Sequence, residues 1–272
     1  MTAGVEATLA RCRADGRAAL VGYLPAGFPD FETSVAAFGA MVGSGVDVVE
    51  VGLPYSDPVM DGPTIQRAAG QALASGTRTT DVLRIVETVA TSGVPTLVMT
   101  YWNPVERYGV ARFAQALHAA GSAGLITPDL IPEEAAEWHA ASDQEGLDRV
   151  YLVAPSSSDA RLATTAAACR GFVYATSIMG VTGARERTSS AAPALVSRVR
   201  EVTELSVGVG LGVSDGVQAA EVAAFADAVI VGSAFVRCLL DATDRSAGLT
   251  AVAALAADLA SGMQRSDASV SW

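Results

Sequence analysis

Ala228-Val229-Ile230-Val231-Gly232-Ser233 is a short apolar run that stops at a glycine, and it is the eighth of its kind in the chain. The earlier seven are Ala18–Tyr23, Val46–Val51, Pro95–Thr100, Gly124–Thr127, Arg149–Val153, Phe172–Ala175 and Ser206–Gly210. None shows the strict polar alternation of a half-solvated strand. Each suits a strand of a parallel sheet covered on both faces. Between them lie amphipathic stretches at helical spacing: Phe31–Met41, Thr80–Ala90, Arg112–Ala120, Pro132–Ala141, Asp159–Cys169 and Asp215–Ala224. Several open on helix-start residues, namely Asp30, Pro132 with Glu133 and Glu134, Ser158-Asp159, and Ser214-Asp215.

Strand–helix alternation leaves an open doubly wound sheet and a closed barrel as rivals. The count of eight favours closure, as does the clustering of glycine-rich ends on the last three runs. The chain is therefore read as α/β, a single (β/α)8 TIM barrel. An extra N-terminal helix at about Thr2–Arg13 caps the barrel floor. The catalytic barrel is expected over residues 1–261, with a polar C-terminal tail at 262–272.

Composition narrows the chemistry. The 272 residues carry a net charge of −11, which argues against nucleic acid and anionic membranes as partners. The longest uncharged run, Thr88 to Val105, is broken by Gly93, Pro95, Asn103 and Pro104, so it reads as a buried strand between turns and not as a membrane span. Cys12, Cys169 and Cys238 are odd in number and far apart, as expected for reduced core thiols in a cytoplasmic protein. There is no lysine, which removes Schiff-base aldol chemistry and the lysine that pyridoxal phosphate enzymes need. The only histidines, His118 and His139, fall in helical stretches, so no metal site is expected. Carboxylates, tyrosines and oriented backbone remain, with no cofactor.

In such barrels the chemistry sits at the carboxyl ends of the strands. The second run, Val46-Asp47-Val48-Val49-Glu50-Val51-Gly52, places Val46, Val48 and Glu50 on one face. If that face lines the barrel, Glu50 is a carboxyl in an apolar pocket, suited to give and take protons near neutral pH. Asp47, of opposite parity at the strand start, reads as structural. The next loop carries Asp57 and Asp61 among three prolines and Gly62. For Asp61 a helix cap beside Pro63 and a site carboxylate read equally well.

Three glycine-rich turns follow the last three strands: Gly180-Val181-Thr182-Gly183, Gly210-Leu211-Gly212-Val213-Ser214 and Gly232-Ser233. Glycines let backbone approach an anion, and a helix beginning at Ser233 offers unpaired N–H groups. Without lysine, a phosphate would be held by backbone and Ser233. Tyr101-Trp102, Tyr23 and Tyr174 fit equally a pocket wall or core packing, and Trp138 reads as structural.

The run Glu50-Val51-Gly52-Leu53-Pro54-Tyr55-Ser56-Asp57-Pro58-Val59-Met60-Asp61-Gly62-Pro63-Thr64-Ile65-Gln66 closely resembles the signature of tryptophan synthase alpha chains. The resemblance continues through Thr127-Pro128-Asp129-Leu130, Gly180–Ala184, Gly210–Ser214 and Val231-Gly232-Ser233-Ala234. It implies cleavage of indole-3-glycerol phosphate to indole and glyceraldehyde 3-phosphate, without cofactor. Glu50 matches the acid–base that protonates the indole ring, and Asp61 the group that holds the indole N–H. Thr182 matches a loop residue that bonds the Asp61 loop on closure. Gly183, Gly212, Gly232 and Ser233 match the phosphate cradle. Tyr23, Met99, Ile126, Tyr174 and Leu211 fall where the family lines its indole pocket. A pyridoxal phosphate-dependent beta chain in an alpha2-beta2 assembly is the implied partner. A free-standing lyase of a specialised pathway and a regulatory subunit without catalysis are the alternatives. Departures at Ile178-Met179 and Glu186-Arg187 touch neither carboxylates nor cradle.

Overall fold

The structure is a computed structural model that describes residues 4–176 and 191–264. Its strands are β1 (Ala19–Pro25), β2 (Val48–Gly52), β3 (Thr96–Met99), β4 (Gly124–Ile126), β5 (Asp148–Val150), β6 (Leu152–Val153), β7 (Val173–Thr176), β8 (Val207–Gly210) and β9 (Ala228–Val231). All pair in parallel, in the order β5-β4-β3-β2-β1-β9-β8-β7-β6. The two ends of that order are consecutive in the chain, with only Tyr151 between them. On one side Thr127 N–H donates to the Val150 carbonyl at 3.3 Å, and on the other Tyr174 N–H donates to the Tyr151 carbonyl at 3.1 Å. The sheet therefore closes on itself. β5 and β6 are one run of chain whose main chain changes neighbour at Tyr151, so the expected eight-stranded barrel is the fold.

Side-chain alternation sorts the strands into two cores. Val21, Val48, Leu97, Ile126, Val150, Phe172, Ala228 and Ile230 point inward. Leu20, Val49, Val51, Val98, Leu125, Val173, Val209 and Val229 point out beneath the helices. The helix Val5–Ala14 adds Val5, Leu9 and Cys12 to the inner core. Those positions recur at i, i+4 and i+7, one face of a helix, so the N-terminal helix plugs the floor as expected. Around it Asp47 accepts two Arg17 N–H groups, both at 2.7 Å, and the Leu20 N–H at 2.9 Å. This is the structural role expected of it.

Three of the helix-start residues act as caps: Asp30 accepts the Thr33 N–H, Ser158 the Arg161 N–H and Asp215 the Gln218 N–H. Pro132 behaves differently. It opens a 3-10 turn, Pro132–Glu134, and the α-helix begins only at Ala136. The last helix runs Arg245–Gly262, so the boundary expected after residue 261 falls inside it. Met263 is fully buried, its carbonyl accepts the Ala18 N–H at 3.0 Å, and Gln264 bridges Arg17. Packing against the floor therefore holds the chain as far as Gln264.

All three cysteines are free, and burial pushes the Cys12 and Cys169 thiols up to about 11. His118 contacts the Glu145 carbonyl and His139 the Tyr151 hydroxyl. Among the described residues, no helix is long and apolar enough to cross a membrane.

Candidate active site

Glu50 lies near the carboxyl end of β2, on the same inward face as Val48. It is 1% exposed, and neither carboxylate oxygen has a hydrogen-bond partner among the described residues. An ionised carboxylate in that position would lose its hydration with nothing in exchange. Burial accordingly pushes Glu50 up from 4.5 to about 8, leaving it mostly protonated at neutral pH.

Tyr23 on β1 is the register partner of Glu50. Its phenol lies against Gly52, where an added Cβ would sit 2.4 Å from the hydroxyl oxygen. The Tyr174 phenol covers Gly210 in the same way, at 2.7 Å. Those glycines are empty because the rings fill their space. Burial, reinforced by nearby Glu50, drives both phenols well above their ordinary range, so they stay protonated. Met99, Ile126 and Tyr174 pack with the inner core, whereas Leu211 packs against the helix side.

The loop after β2 carries the second carboxylate. Gly62 caps the helix Pro63–Ala74, and that cap makes no side-chain hydrogen bond. The cap position therefore belongs to Gly62 and not to Asp61. Its carbonyl accepts the Gln66 side chain at 2.7 Å, while its half-buried carboxylate faces the Tyr101 hydroxyl. Burial raises the Asp61 pKa, and the nearby Tyr101 hydroxyl offsets part of that rise. The sequence left Tyr101 between pocket wall and core, so its link to Asp61 was missed. No periodicity relates a loop to the next strand end.

Further round the mouth, beyond β1 and β9, Gly212 follows β8 and turns with φ +72°, a conformation that favours glycine. The helix Ser233–Leu240 starts from Gly232 with no side-chain cap, and Ser233 is partly exposed. β8 and β9 are neighbours, so these two turns lie side by side. Thr182 and Gly183 lie outside the described residues. Among the described residues no cluster of three or more His, Cys, Asp or Glu side chains could hold a metal ion.

Residues 9–264 match the family model described as tryptophan synthase alpha chain. The chain belongs to the tryptophan synthase alpha-chain family. The alpha chain of Acidothermus cellulolyticus is 63% identical over 265 residues, covering 97% of this chain and 98% of the relative. That of Salinispora arenicola is 66% identical over 254 residues, 93% and 95% of the two chains. A solved Mycobacterium tuberculosis tryptophan synthase structure superposes with a TM-score of 0.92 at 55% identity, covering 98% of this chain and all of that one. The family match spans both carboxylates and both described glycine turns.

Proposed function

We propose that Glu50 and Asp61 carry the carbon–carbon cleavage of indole-3-glycerol phosphate in this member of the family. The chain is a lyase of tryptophan biosynthesis, and its main chemical task is to make an indole ring a leaving group. Glu50, protonated at neutral pH, donates its proton to indole carbon 3. The ring nitrogen becomes a cationic iminium N–H, which the Asp61 carboxylate stabilises. Glu50, now ionised in an apolar pocket, takes the proton of the adjacent glycerol hydroxyl. The carbon–carbon bond breaks, its electrons restore the aromatic indole, and the glycerol carbon becomes the aldehyde of glyceraldehyde 3-phosphate. Glu50 ends with a proton, as it began.

Gly183, Gly212, Gly232 and Ser233 hold the phosphate with backbone and hydroxyl donors at the start of the Ser233–Leu240 helix. Tyr23, Met99, Ile126 and Tyr174 line the ring pocket, and Leu211, packed toward the helices, contributes from the turn after β8. Thr182 meets the Asp61 loop when the mouth closes. The partner is a pyridoxal phosphate-dependent beta chain in an alpha2-beta2 assembly that receives indole. The catalytic unit extends to Gln264 and works in the cytoplasm, where its free thiols stay reduced.

The observation that carries this reading is the buried, unpartnered Glu50 carboxyl. Its test is turnover of indole-3-glycerol phosphate by wild type and Glu50→Gln, each with and without a beta chain. Glutamine keeps the shape and cannot titrate, so turnover falls at least ~100-fold. Near-normal turnover in the variant would overturn the assignment.

A further inference from the structure

We infer that Gln218 is a positioning residue for the Gly212 turn, one that shapes its backbone before an anion arrives. The inference rests on the reading of that turn as part of the phosphate cradle.

Gln218 is the third residue of the helix Gly216–Ala223, which follows β8 and its turn. The start of this helix is held from two sides. Asp215 accepts the Gln218 N–H at 2.8 Å, and Asp258, from the helix Arg245–Gly262, accepts the Gly216 N–H at 2.7 Å. Gly216 packs so closely on that last helix that an added Cβ would sit 2.5 Å from the Asp258 carbonyl oxygen. Gln218 therefore reaches back from a fixed base. Its side-chain oxygen accepts the Ser214 N–H at 3.0 Å and the Ser214 hydroxyl at 3.2 Å. A glutamine at this place in a helix commonly folds back on the capping residue itself. Here it closes on the residue before the cap, which is the last of the glycine-rich turn.

The turn is thus fixed at both ends. At Gly210 the Tyr174 phenol fills the space of a side chain, and at Ser214 both donors are occupied by Gln218. Val213 is 3% exposed and belongs to the outer core. Leu211 and Gly212 are left partly exposed between these anchors. A glycine in an open turn has much conformational freedom to lose when a ligand binds. Anchoring Ser214, two residues on, removes part of that freedom in advance. Two carboxylates already answer the dipole of the neighbouring helix start, so that start does not serve the anion. What the turn offers is backbone, and Gln218 decides where that backbone stands.

A glutamine that only packed could be replaced by methionine without consequence for binding. Gln218→Met keeps the length and removes the acceptor. Three quantities are read on the full chain: hydrogen exchange at the Ser214 amide, the Kd of inorganic phosphate and of indole by NMR titration, and KM and kcat for indole-3-glycerol phosphate. In the variant, exchange at Ser214 accelerates. Phosphate affinity falls about tenfold, the worth of one or two neutral hydrogen bonds, while indole affinity holds. KM rises with the phosphate Kd and kcat holds, the pattern of lost ground-state binding. Unchanged phosphate affinity or unchanged Ser214 exchange overturns the inference. An equal loss for phosphate and indole also overturns it, because the whole mouth has then loosened. The cradle reading has its own check in the wild type: phosphate must shift the Gly212 amide resonance. If it does not, that reading fails whatever the variant does.

Discussion

Glu50 holds its proton where a solvated glutamate would have lost it, and this has a cost that varies with pH. Its pKa is about 8 in the folded chain against 4.5 ordinarily. Below 4.5 both folded and unfolded states are protonated and the group is neutral in the balance. From 4.5 to 8 the unfolded chain releases the proton and the folded chain retains it, so stability declines as pH rises through that window. Glu50→Gln removes the titration, so thermal melts of the two proteins should nearly coincide at pH 4.5 and separate at pH 8.5, with the variant the more stable. An equal difference at both pH values would show that Glu50 is not desolvated. Gly52 makes a second residue-level test. An alanine Cβ would press within 2.4 Å of the Tyr23 hydroxyl. Gly52→Ala should displace that ring from beside Glu50, at a stability cost of about 1–3 kcal/mol. A crystal structure of the variant and its kcat/KM would check both the movement and the loss of activity.

Among the elements, the N-terminal helix has the clearest energetic role. Leu9 is buried among the inward side chains of the strands. Leu9→Ala should cost about 2–5 kcal/mol, measured by denaturant unfolding, although Leu9 lies at the floor and far from the chemistry. A cost below ~1 kcal/mol would mean that the floor collapses to fill the gap. This helix and the barrel strands were legible in the sequence because each has a period and a buried face. The split of the fifth strand was not. Alternation runs straight through it, with Val150 inward, Tyr151 outward, Leu152 inward and Val153 outward. Only the main-chain neighbour changes at Tyr151, and side-chain pattern does not report that. Glu50 could be placed by strand parity. Asp61 could not, because a loop has no parity, and its environment is set by burial among residues distant in sequence. The late start of the helix at Ala136 and the order that reaches Gln264 were likewise set by tertiary contacts.

On the scale of the whole molecule, an acidic chain without lysine is proposed to bind a phosphate ester, while five of its arginines are paired with carboxylates. Arg17 pairs with Asp47, Arg149 and Arg170 with Asp143, Arg161 with Glu133 and Arg198 with Asp159. Local donors must then overcome an unfavourable field, and the proposed closure of the mouth would strengthen them by excluding water. If the proposed beta chain favours the closed form, it must bind that form more tightly than the open one. A non-cleavable substrate analogue should then tighten subunit association by the same factor that the beta chain tightens analogue binding. Titration calorimetry in both orders measures the two factors. Thr182→Val should weaken both together, and an analogue that leaves subunit affinity unchanged would sink the account.

The floor plug described above also governs traffic. Val5, Leu9 and Cys12 block the axis of the barrel from below. Among the described residues the lower end is filled, so the substrate and both fragments would pass through the mouth at the strand ends. A small, uncharged arene set free there would drift into bulk water and be lost across any lipid boundary. A partner docked over that mouth would inherit the arene, because the filled lower end turns it upward.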